Sequence, residues 1–288
     1  MITVSRIGIA ATVGAVGMGL GYLAAAGAPA QYLAVNAATL IVGLLGLAAW
    51  KKWAGPTATL SGLAALGIGL ALLATALLGH SLDGATRWVR VGQLTLQPGL
   101  ILGPLLAVLF SRDRGVLATT GVVITAAALA LQPDRATAGA LTAGLAALAI
   151  ANPDRRVLLA LSAASLAFAV ALVRPDTLPA QPFVEQVLYS AFQTHWLAGL
   201  AVWIGTVLLI VPAIYGWVRD PEYRPTYAVF GAVWLALIVA SVLGNYPTPL
   251  VGYGASSVLG FILCMAGLPV RGLAPSSKVL VDLPVRRH

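Results

Sequence analysis

Eight charged side chains stand out because they lie together in three short segments that separate long apolar runs. These segments, 80–97, 132–136 and 174–185, carry Asp83, Arg87, Arg90, Asp134, Arg135, Arg174, Asp176 and Glu185. The planar fork of an arginine side chain suits phosphate groups, and a carboxylate can take a proton from a reacting hydroxyl. The segments therefore predict a site for an anionic substrate. The alternative is that these arginines and carboxylates only pair with one another at the surface.

The elements that position these charges are predicted to be membrane-spanning helices. Of the 288 residues, 59% are hydrophobic and only 9% are charged, whereas a soluble domain carries about 25% charged residues. Several apolar runs reach the roughly 17–25 residues that a helix needs to cross a bilayer. The sequence predicts an all-α polytopic bundle, a single membrane domain over residues 1–288, with about ten spans. These are 7–27, 31–50, 58–79, 95–110, 115–131, 136–151, 157–173, 186–216, 227–244 and 250–268.

The placement of basic residues predicts the orientation of these spans. If the N-terminus is cytoplasmic, all but four of the 17 lysines and arginines fall on the inner side. The four exceptions are Arg87, Arg90, Arg135 and Arg174. Such a positive-inside bias is typical of inner-membrane proteins. It predicts that both termini are cytoplasmic, that residues 270–288 form a short cytoplasmic tail, and that the charged segments face outward.

Other functional classes find little support in the residues. The net charge of +8 could suggest a nucleic-acid partner, but the basic residues lie in short loops between spans, so none is expected. The sequence contains no G-x-S-x-G motif of serine hydrolases, no phosphate-binding loop, no dinucleotide-binding glycine motif and no H-E-x-x-H motif of zinc proteases. The single cysteine, Cys264, lies in an apolar run and is interpreted as a packing residue. His195 lies within a predicted span, where a polar side chain is expected to face the bundle interior.

Small residues and prolines predict how the helices pack. The spacing Gly17-x-x-x-Gly21 is of the kind that allows close helix contact in membranes. Pro104 and Pro212 lie within predicted spans, and each predicts a kink.

Three segments resemble motifs of the SEDS family (shape, elongation, division and sporulation), which includes the RodA, FtsW and SpoVE proteins. The first, Asp83-Gly84-Ala85-Thr86-Arg87-Trp88-Val89-Arg90-Val91-Gly92 followed by Gln97-Pro98, resembles the family's G-A-x-R-W-I-x-L-G and Q-P-S-E. The second, Gln132-Pro133-Asp134-Arg135-Ala136-Thr137, resembles Q-P-D-L-G-T. The third, Pro249-Leu250-Val251-Gly252-Tyr253-Gly254-Ala255-Ser256-Ser257, resembles L-P-L-I-S-Y-G-G-S-S. They occur in family order, and the resemblance covers essentially the whole chain.

The resemblance implies a ten-span glycosyltransferase that polymerises lipid II into peptidoglycan at the outer membrane face. Proteins of this family usually work with a single-span transpeptidase, which becomes the expected partner. The family's catalytic aspartate opens span eight. Counting back from a family glycine that is matched by Gly199 places Glu185 at that position.

Roles for the other residues follow from the same resemblance. Glu185 would be the catalytic base for the acceptor hydroxyl. The leaving polyprenyl diphosphate would need arginines or a divalent cation, Mg²⁺ or Mn²⁺, and hard cations prefer oxygen ligands such as those of Asp134 and Asp176. The remaining substrate-binding candidates, taken from the three motifs and the outer charges, are Arg87, Trp88, Arg90, Arg135, Arg174, Tyr253, Ser256 and Ser257.

The chain also departs from the family pattern. The outer loop before span eight is long in the family and short here, at about 174–186. The family's Q-P-S-E-x-x-K loses its Ser, Glu and Lys, and Glu185 replaces an aspartate. Three functions stay open: an active transferase on a polyprenyl-diphosphate-linked sugar, a non-catalytic scaffold or lipid-binding protein, and a transporter of a lipid-linked precursor. Retained outer charges favour the first, the short loop favours the second, and the scarcity of polar residues within the spans disfavours the third.

Overall fold

Helices dominate a computed structural model of the chain, which describes residues 3–53, 58–82, 85–175 and 178–269. In chain order the helices and strands are α1 (Val4–Ala25), α2 (Ala30–Trp53), α3 (Ala58–Leu78), β1 (His80–Leu82), β2 (Ala85–Val91), β3 (Leu94–Leu96), α4 (Pro98–Arg112), α5 (Val116–Leu131), α6 (Arg135–Ala151), α7 (Arg155–Val173), α8 (Val187–Thr194), α9 (Trp196–Leu208), α10 (Val211–Arg219), a 3₁₀ turn (Pro221–Tyr223), α11 (Arg224–Leu243) and α12 (Ala255–Ala266). The predicted tail 270–288 lies outside the described residues.

The predicted polytopic helical bundle is confirmed, and the number of apolar helices is roughly consistent with about ten spans. Within the described ranges, six helical stretches are long and apolar enough to cross a membrane: Val4–Ala25, Ala30–Trp50, Ser61–Leu78, Arg155–Val173, Trp196–Arg219 and Pro221–Leu243. Four shorter apolar helices complete the set: Pro98–Arg112, Val116–Leu131, Arg135–Ala151 and Ala255–Ala266. Together they correspond one to one with the ten predicted spans. The protein is a multi-pass membrane protein.

Contacts between loops sort the helix ends into two groups, as the alternation of spans requires. At one end, Nη2 of Arg87 donates to the carbonyl oxygen of Pro133 at 2.7 Å. At the other, Nη1 of Arg114 lies 2.8 Å from Oδ2 of Asp154. The two contacts join loops that were predicted to face outward and inward, respectively. Which end faces the cytoplasm stays a prediction from the charge bias.

Reporter fusions test that prediction directly. Fusions after residues 90, 113, 180 and 221 are expected to report outside, inside, outside and inside, because basic residues favour the cytoplasmic side. An alkaline phosphatase and a fluorescent protein reporter at each site give complementary signals. Two neighbouring fusions that report the same side would contradict the span assignment.

A small antiparallel sheet occupies the segment that the sequence analysis treated as a loop. Its strand order is β1-β2-β3, and Val89, Arg90 and Val91 of β2 face Leu96, Thr95 and Leu94 of β3. The alternation of Thr86, Trp88 and Arg90 with apolar or buried neighbours suits a strand. The strands are too short for their alternation to stand out in the sequence. Because β3 occupies Leu94–Leu96, α4 begins at Pro98 and not near residue 95.

The long predicted span 186–216 is interrupted in two places. His195 is extended (φ −168°, ψ 146°) and separates α8 from α9, and its Nδ1 accepts a hydrogen bond from the Leu197 amide at 3.2 Å. The second break lies between α9 and α10, and Pro212 follows it in the first turn of α10, as its lack of an N–H favours. The expectation that His195 faces the bundle interior is wrong: the side chain is exposed and caps a helix.

Close helix packing occurs at glycines that the sequence analysis did not single out. A Cβ added to Gly260 of α12 would lie 2.3 Å from the Leu100 carbonyl oxygen of α4. Pro104 lies one turn further along α4 and has no N–H to donate to that carbonyl. Gly260 therefore lets α12 approach a backbone group that the proline has left without its usual helical partner. By contrast, a Cβ at Gly17 or Gly21 would meet nothing within 4 Å in the described part of the chain.

A pair of substitutions measures this difference. Gly260→Val is expected to destabilise the protein by more than the roughly 1–3 kcal/mol of ordinary overpacking, because its Cβ would meet backbone and not a movable side chain. Gly17→Ala is expected to be neutral or slightly stabilising. Thermal unfolding of the purified variants in detergent reports both. Equal melting temperatures for the Gly260 variant and the wild type would contradict the packing described.

Candidate functional site

The three motif segments meet at one end of the bundle. The backbone N–H of Gln97 donates to Oγ of Ser256 at 2.9 Å, and its side-chain Nε2 donates to Oδ2 of Asp134 at the same distance. Gln132 is fully buried, and its Nε2 donates to the Leu72 carbonyl oxygen at 3.0 Å. We call Arg87, Gln97, Gln132, Asp134 and Ser256 the motif cluster. Each of its members comes from one of the three motif segments.

Asp134 holds the start of α6 and joins two motifs. Its side chain is fully buried, and Oδ1 accepts the backbone N–H of Thr137 at 3.0 Å as the N-cap of α6. Since Oδ2 accepts from Gln97, both oxygens face N–H donors, an arrangement that suits a structural cap better than a metal ligand. The partner proposed for the metal site, Asp176, lies outside the described residues. Among those that are described, no group of three His, Cys, Asp or Glu side chains could hold a metal ion.

Arg87 donates to the backbone at the end of α5. The side chain is 4% exposed, and its Nε and Nη2 reach the carbonyl oxygens of Gln132 (3.3 Å) and Pro133 (2.7 Å). Carbonyl groups at a helix C-terminus lack intrahelical donors, and a cation there also complements the helix dipole. Trp88, half-buried, lies beside it, with its ring centre 5.8 Å from Cζ of Arg87.

Two further outer arginines behave in the same way. Nη1 of Arg174 donates to the carbonyl oxygens of Ala130 and Leu131, both at 2.9 Å, at the end of α5. Nε of Arg135 donates to the Ala171 carbonyl oxygen at 3.0 Å near the end of α7, and its Nη2 donates to the carbonyl of Arg174. These arginines were predicted to bind diphosphate, and the structure gives their donors backbone partners. Arg90, on β2, is exposed.

The segment that contains Glu185 is joined to the third motif. The backbone N–H of Thr248 donates to the Val184 carbonyl oxygen at 2.9 Å, and that of Tyr253 donates to the Phe183 carbonyl oxygen at 2.6 Å. Glu185 itself forms an isolated antiparallel bridge with Pro247. The segment 178–186 therefore runs along the third motif, which places the backbone of Glu185 beside it.

The carboxyl group of Glu185 is half-buried at a tightly bent piece of backbone. Its Oε2 accepts the backbone N–H of Gln181 at 2.9 Å. Phe183 and Gln186, two residues before it and one after it, have φ values of 66° and 55°, in the left-handed region that side-chain-bearing residues rarely adopt. Such strain persists only where surrounding contacts impose it, and it is frequent at functional sites.

The loop of the third motif is fixed by an asparagine that the sequence analysis missed. Asn36 of α2 is fully buried; its Nδ2 donates to the Gly252 carbonyl oxygen at 2.9 Å, and its Oδ1 accepts the Gly254 N–H at 3.1 Å. Ser257 supports the same loop, since its Oγ accepts the Leu250 N–H at 3.3 Å. The signal available in the sequence was a lone asparagine within an apolar span, where a buried amide needs partners.

Tyr253 projects from this clamped loop into an aromatic group with Tyr32 and Phe183. Its ring is stacked on that of Tyr32, with ring centres 3.7 Å apart and an interplanar angle of 4°. Phe183 meets Tyr32 edge-on at 6.2 Å. Burial, and next the neighbouring Tyr32, raise the pKa of Tyr253 above its ordinary value. All three side chains are half-buried.

A cavity of about 550 Å³ lies between α6, α7 and α11. Its walls are mostly apolar side chains, among them Phe168, Leu172, Val239 and Leu243, and its polar lining residues lie at the start of α6 and just after the end of α11: Arg135, Asn245 and Tyr246. The cavity also adjoins the Glu185 segment, because Nδ2 of Asn245 donates to the Leu178 carbonyl oxygen at 3.1 Å and its Oδ1 accepts from Nε2 of Gln186 at 2.8 Å.

Comparison with solved structures identifies the architecture. The rod shape determining protein RodA of Thermus thermophilus superposes with a TM-score of 0.63 over 90% of this chain and 93% of its own, at 20% sequence identity. The chain has the RodA fold. An aspartate-to-alanine mutant of the same RodA gives the same TM-score and identity. A structure described as showing structural coordination of polymerization and crosslinking by a peptidoglycan synthase complex matches with a TM-score of 0.61 at 21% identity, covering 90% of this chain and 94% of that one.

The match to the RodA fold is visible in structure more than in sequence. No protein-family model matches this chain, and no curated protein sequence does so either. Within this chain, the buried hydrogen bonds of the motif cluster connect segments that are far apart in the sequence, and each depends on a particular polar side chain at one position.

Proposed function

We propose that this chain is a SEDS-family glycosyltransferase that polymerises lipid II, or a related polyprenyl-diphosphate-linked sugar, in cell wall synthesis, cell shape or division. The observation that carries the proposal is the apolar cavity beside the Glu185 segment. Its mostly apolar wall suits a polyprenyl chain, Arg135 contributes a cation to its lining, and Asn245 links it to the segment that contains Glu185. A lipid-linked sugar lying in this way would bring its diphosphate and anomeric carbon toward the carboxylate.

The chemistry assigned to Glu185 is that of a general base. As the acceptor sugar hydroxyl attacks the anomeric carbon of the donor, its oxygen forms the new glycosidic bond and its proton passes to the carboxylate. The bond between the anomeric carbon and the diphosphate oxygen breaks, and the polyprenyl diphosphate departs with the electron pair. Cationic groups near that oxygen stabilise the departing charge. We assign this role first to Arg90, which is exposed, and second to Arg135, which lines the cavity while its Nε and Nη2 donate to backbone carbonyl oxygens.

The substrate-binding roles of the other motif residues are part of the proposal. Trp88 and Tyr253 are half-buried at the same end of the bundle, whereas Ser256 and Ser257 support the motif loops through their hydroxyl groups. A Mg²⁺ or Mn²⁺ ion is also proposed as an aid to diphosphate departure. The contacts of Asp134 do not favour that residue as its ligand, so no step is assigned to the ion.

The placement and partner of the enzyme follow from the same proposal. We place it in the inner membrane with both termini in the cytoplasm, so that the site faces outward. The solved peptidoglycan synthase complex that shares this fold is described as coordinating polymerization with crosslinking. A single-span transpeptidase is accordingly the partner that we propose for this chain.

One observation favours the alternative of a non-catalytic scaffold. Arg87, Arg135 and Arg174 donate to backbone carbonyl groups at helix ends. Their retention therefore has a structural explanation and supports catalysis less than the sequence alone suggested. In a scaffold, the cavity would hold lipid without turnover.

Purified protein incubated with labelled lipid II separates these functions. The transferase is expected to convert lipid II into glycan polymer, resolved by gel electrophoresis, with or without added Mg²⁺ or Mn²⁺. The same assay should be repeated with other polyprenyl-diphosphate-linked sugars. If the protein binds these lipids but transfers sugar from none of them, with or without metal, the transferase proposal is wrong and the non-catalytic scaffold is favoured.

A further inference from the structure

The stacked pair of Tyr32 and Tyr253 has features of a ligand platform. Both rings are half-exposed although they lie only 3.7 Å apart and nearly parallel. Phe183 meets Tyr32 edge-on, and both Phe183 and Tyr253 pack against a small buried cluster that includes Tyr22, Leu23, Val187 and Val251. A polar-tipped aromatic side chain at a membrane boundary usually points into the interface as a single anchor. Here two rings are stacked face to face, so each covers one face of the other and only an outer face of the pair is left for a ligand.

The backbone beneath the platform is held more firmly than packing alone requires. Asn36 contacts the loop on both sides of Tyr253, through the Gly252 carbonyl oxygen and the Gly254 N–H. The Tyr253 N–H donates to the Phe183 carbonyl oxygen at 2.6 Å. These bonds fix the direction of the Tyr253 ring before any ligand arrives, and such preorganisation lowers the entropic cost of binding.

Phe183, which contacts Tyr32 edge-on, lies two residues before Glu185 in the chain. The cavity approaches the same 178–186 segment through Asn245. The segment 178–186, which contains Glu185, therefore contacts both the cavity, through Leu178 and Gln186, and the aromatic group, through Phe183. A lipid-linked sugar has the same two parts, an apolar chain and a ring whose C–H groups can lie against the negative face of an aromatic π system.

We propose that the Tyr32–Tyr253 stack is a saccharide subsite, in which a pyranose ring of the substrate packs its C–H face against the exposed tyrosine face. The identity of the sugar in this subsite rests on the proposed function. Tyr32 is its new element, since it lies in the first turn of α2, far from every motif in the sequence. The Tyr253 hydroxyl is available to donate to a sugar oxygen. Both residues bind and position the substrate, and neither takes part in bond making.

Saturation-transfer NMR tests the subsite without requiring turnover. The probe is the soluble disaccharide of N-acetylglucosamine and N-acetylmuramic acid, added to the full chain in lipid nanodiscs. Transfer to the ring C–H protons of the sugar is expected with the wild type and with Tyr32→Phe. Tyr32→Leu is expected to weaken the disaccharide roughly three- to tenfold, the effect of losing one aromatic stacking partner.

Two comparisons make the result specific. Phe192→Leu removes another exposed aromatic ring, on neighbouring α8, and is expected to leave disaccharide binding unchanged. Binding of sugar-free polyprenyl diphosphate should be the same for the wild type and Tyr32→Leu. Melting temperatures show that each variant is folded, and Tyr253→Phe provides a second, milder change in the stack.

The subsite and the proposed function can fail separately. The subsite would be overturned if no saturation passes from the wild-type protein to the disaccharide. It would also be overturned if the wild type and folded Tyr32→Leu bind the disaccharide with equal affinity, even where lipid II is polymerised. Ring-dependent disaccharide binding in a protein that makes no polymer would support the subsite and refute the transferase. An aromatic interface anchor, the simplest competing role, predicts no loss of disaccharide affinity in Tyr32→Leu.

Discussion

Replacing Glu185 by glutamine is expected to lower the rate of lipid II polymerisation by about 10²–10⁴-fold while lipid binding is retained. The substitution keeps the size of the side chain and an oxygen that can accept the Gln181 N–H, so the turn beneath it should persist. It removes only the group that can take the hydroxyl proton. Initial rates of polymer formation, measured beside the affinity for labelled lipid II, give both quantities.

Substitution by aspartate provides the matched control for Glu185. It keeps the charge, shortens the reach by one methylene and restores the residue typical of the family. Because correct placement of the base contributes strongly to the rate, Glu185→Asp is expected to fall between the wild type and Glu185→Gln. Near-normal polymerisation by a folded Glu185→Gln protein would exclude a role as base and leave the turn-stabilising contact as its function.

Replacing Arg87 by alanine is expected to reduce the stability of the protein by about 2–6 kcal/mol, which is the cost of two unsatisfied carbonyl groups. The carbonyl oxygens of Gln132 and Pro133 would lose a buried donor, and each unsatisfied group costs about 1–3 kcal/mol. The sequence alone suggested another outcome, a folded protein with weaker lipid binding. Lysine at this position should recover only part of the stability, because an ammonium group cannot reproduce the spacing of the guanidinium fork. Chemical denaturation in detergent micelles measures the loss.

Arg90 offers the control, since it lies three residues further along the same strand and is exposed. Arg90→Ala should unfold under the same conditions as the wild type. If Arg90 contacts the diphosphate, its removal should weaken binding of polyprenyl diphosphate by roughly 10–150-fold, the equivalent of one charge-assisted hydrogen bond. A folded Arg87→Ala protein of normal stability but reduced lipid affinity would reverse the structural and substrate-binding roles of the two arginines.

The lengths and composition of the apolar runs were sufficient to predict a polytopic helical bundle. Apolar length and composition predicted the ten helices, because lipid offers the backbone no hydrogen-bonding partners and a helix satisfies them within one segment. The motif residues were also located correctly at one end of the bundle, since an odd or even number of spans between two loops determines whether they share a side. Neither prediction depends on which helix packs against which.

Side-chain roles depended on contacts between residues far apart in the chain. The sequence marked Arg87, Arg135 and Arg174 as outer cations, but only the tertiary structure shows that helix ends lie within their reach. For the same reason, Gly260 and not Gly17 is the site of close packing, because the deciding group is the Leu100 carbonyl oxygen of another helix.

The surroundings of Glu185 illustrate the same division. The sequence by itself determined a membrane bundle with carboxylates and arginines gathered at one face, because span length and charge bias are properties of single segments. Only the tertiary structure decided that the segment containing Glu185 runs beside the third motif and contacts both the cavity and the aromatic group of Tyr32, Tyr253 and Phe183. Tyr32 and Tyr253 are more than two hundred residues apart, and their contact exists because the buried amide of Asn36 finds its hydrogen-bond partners in the Gly252–Gly254 loop.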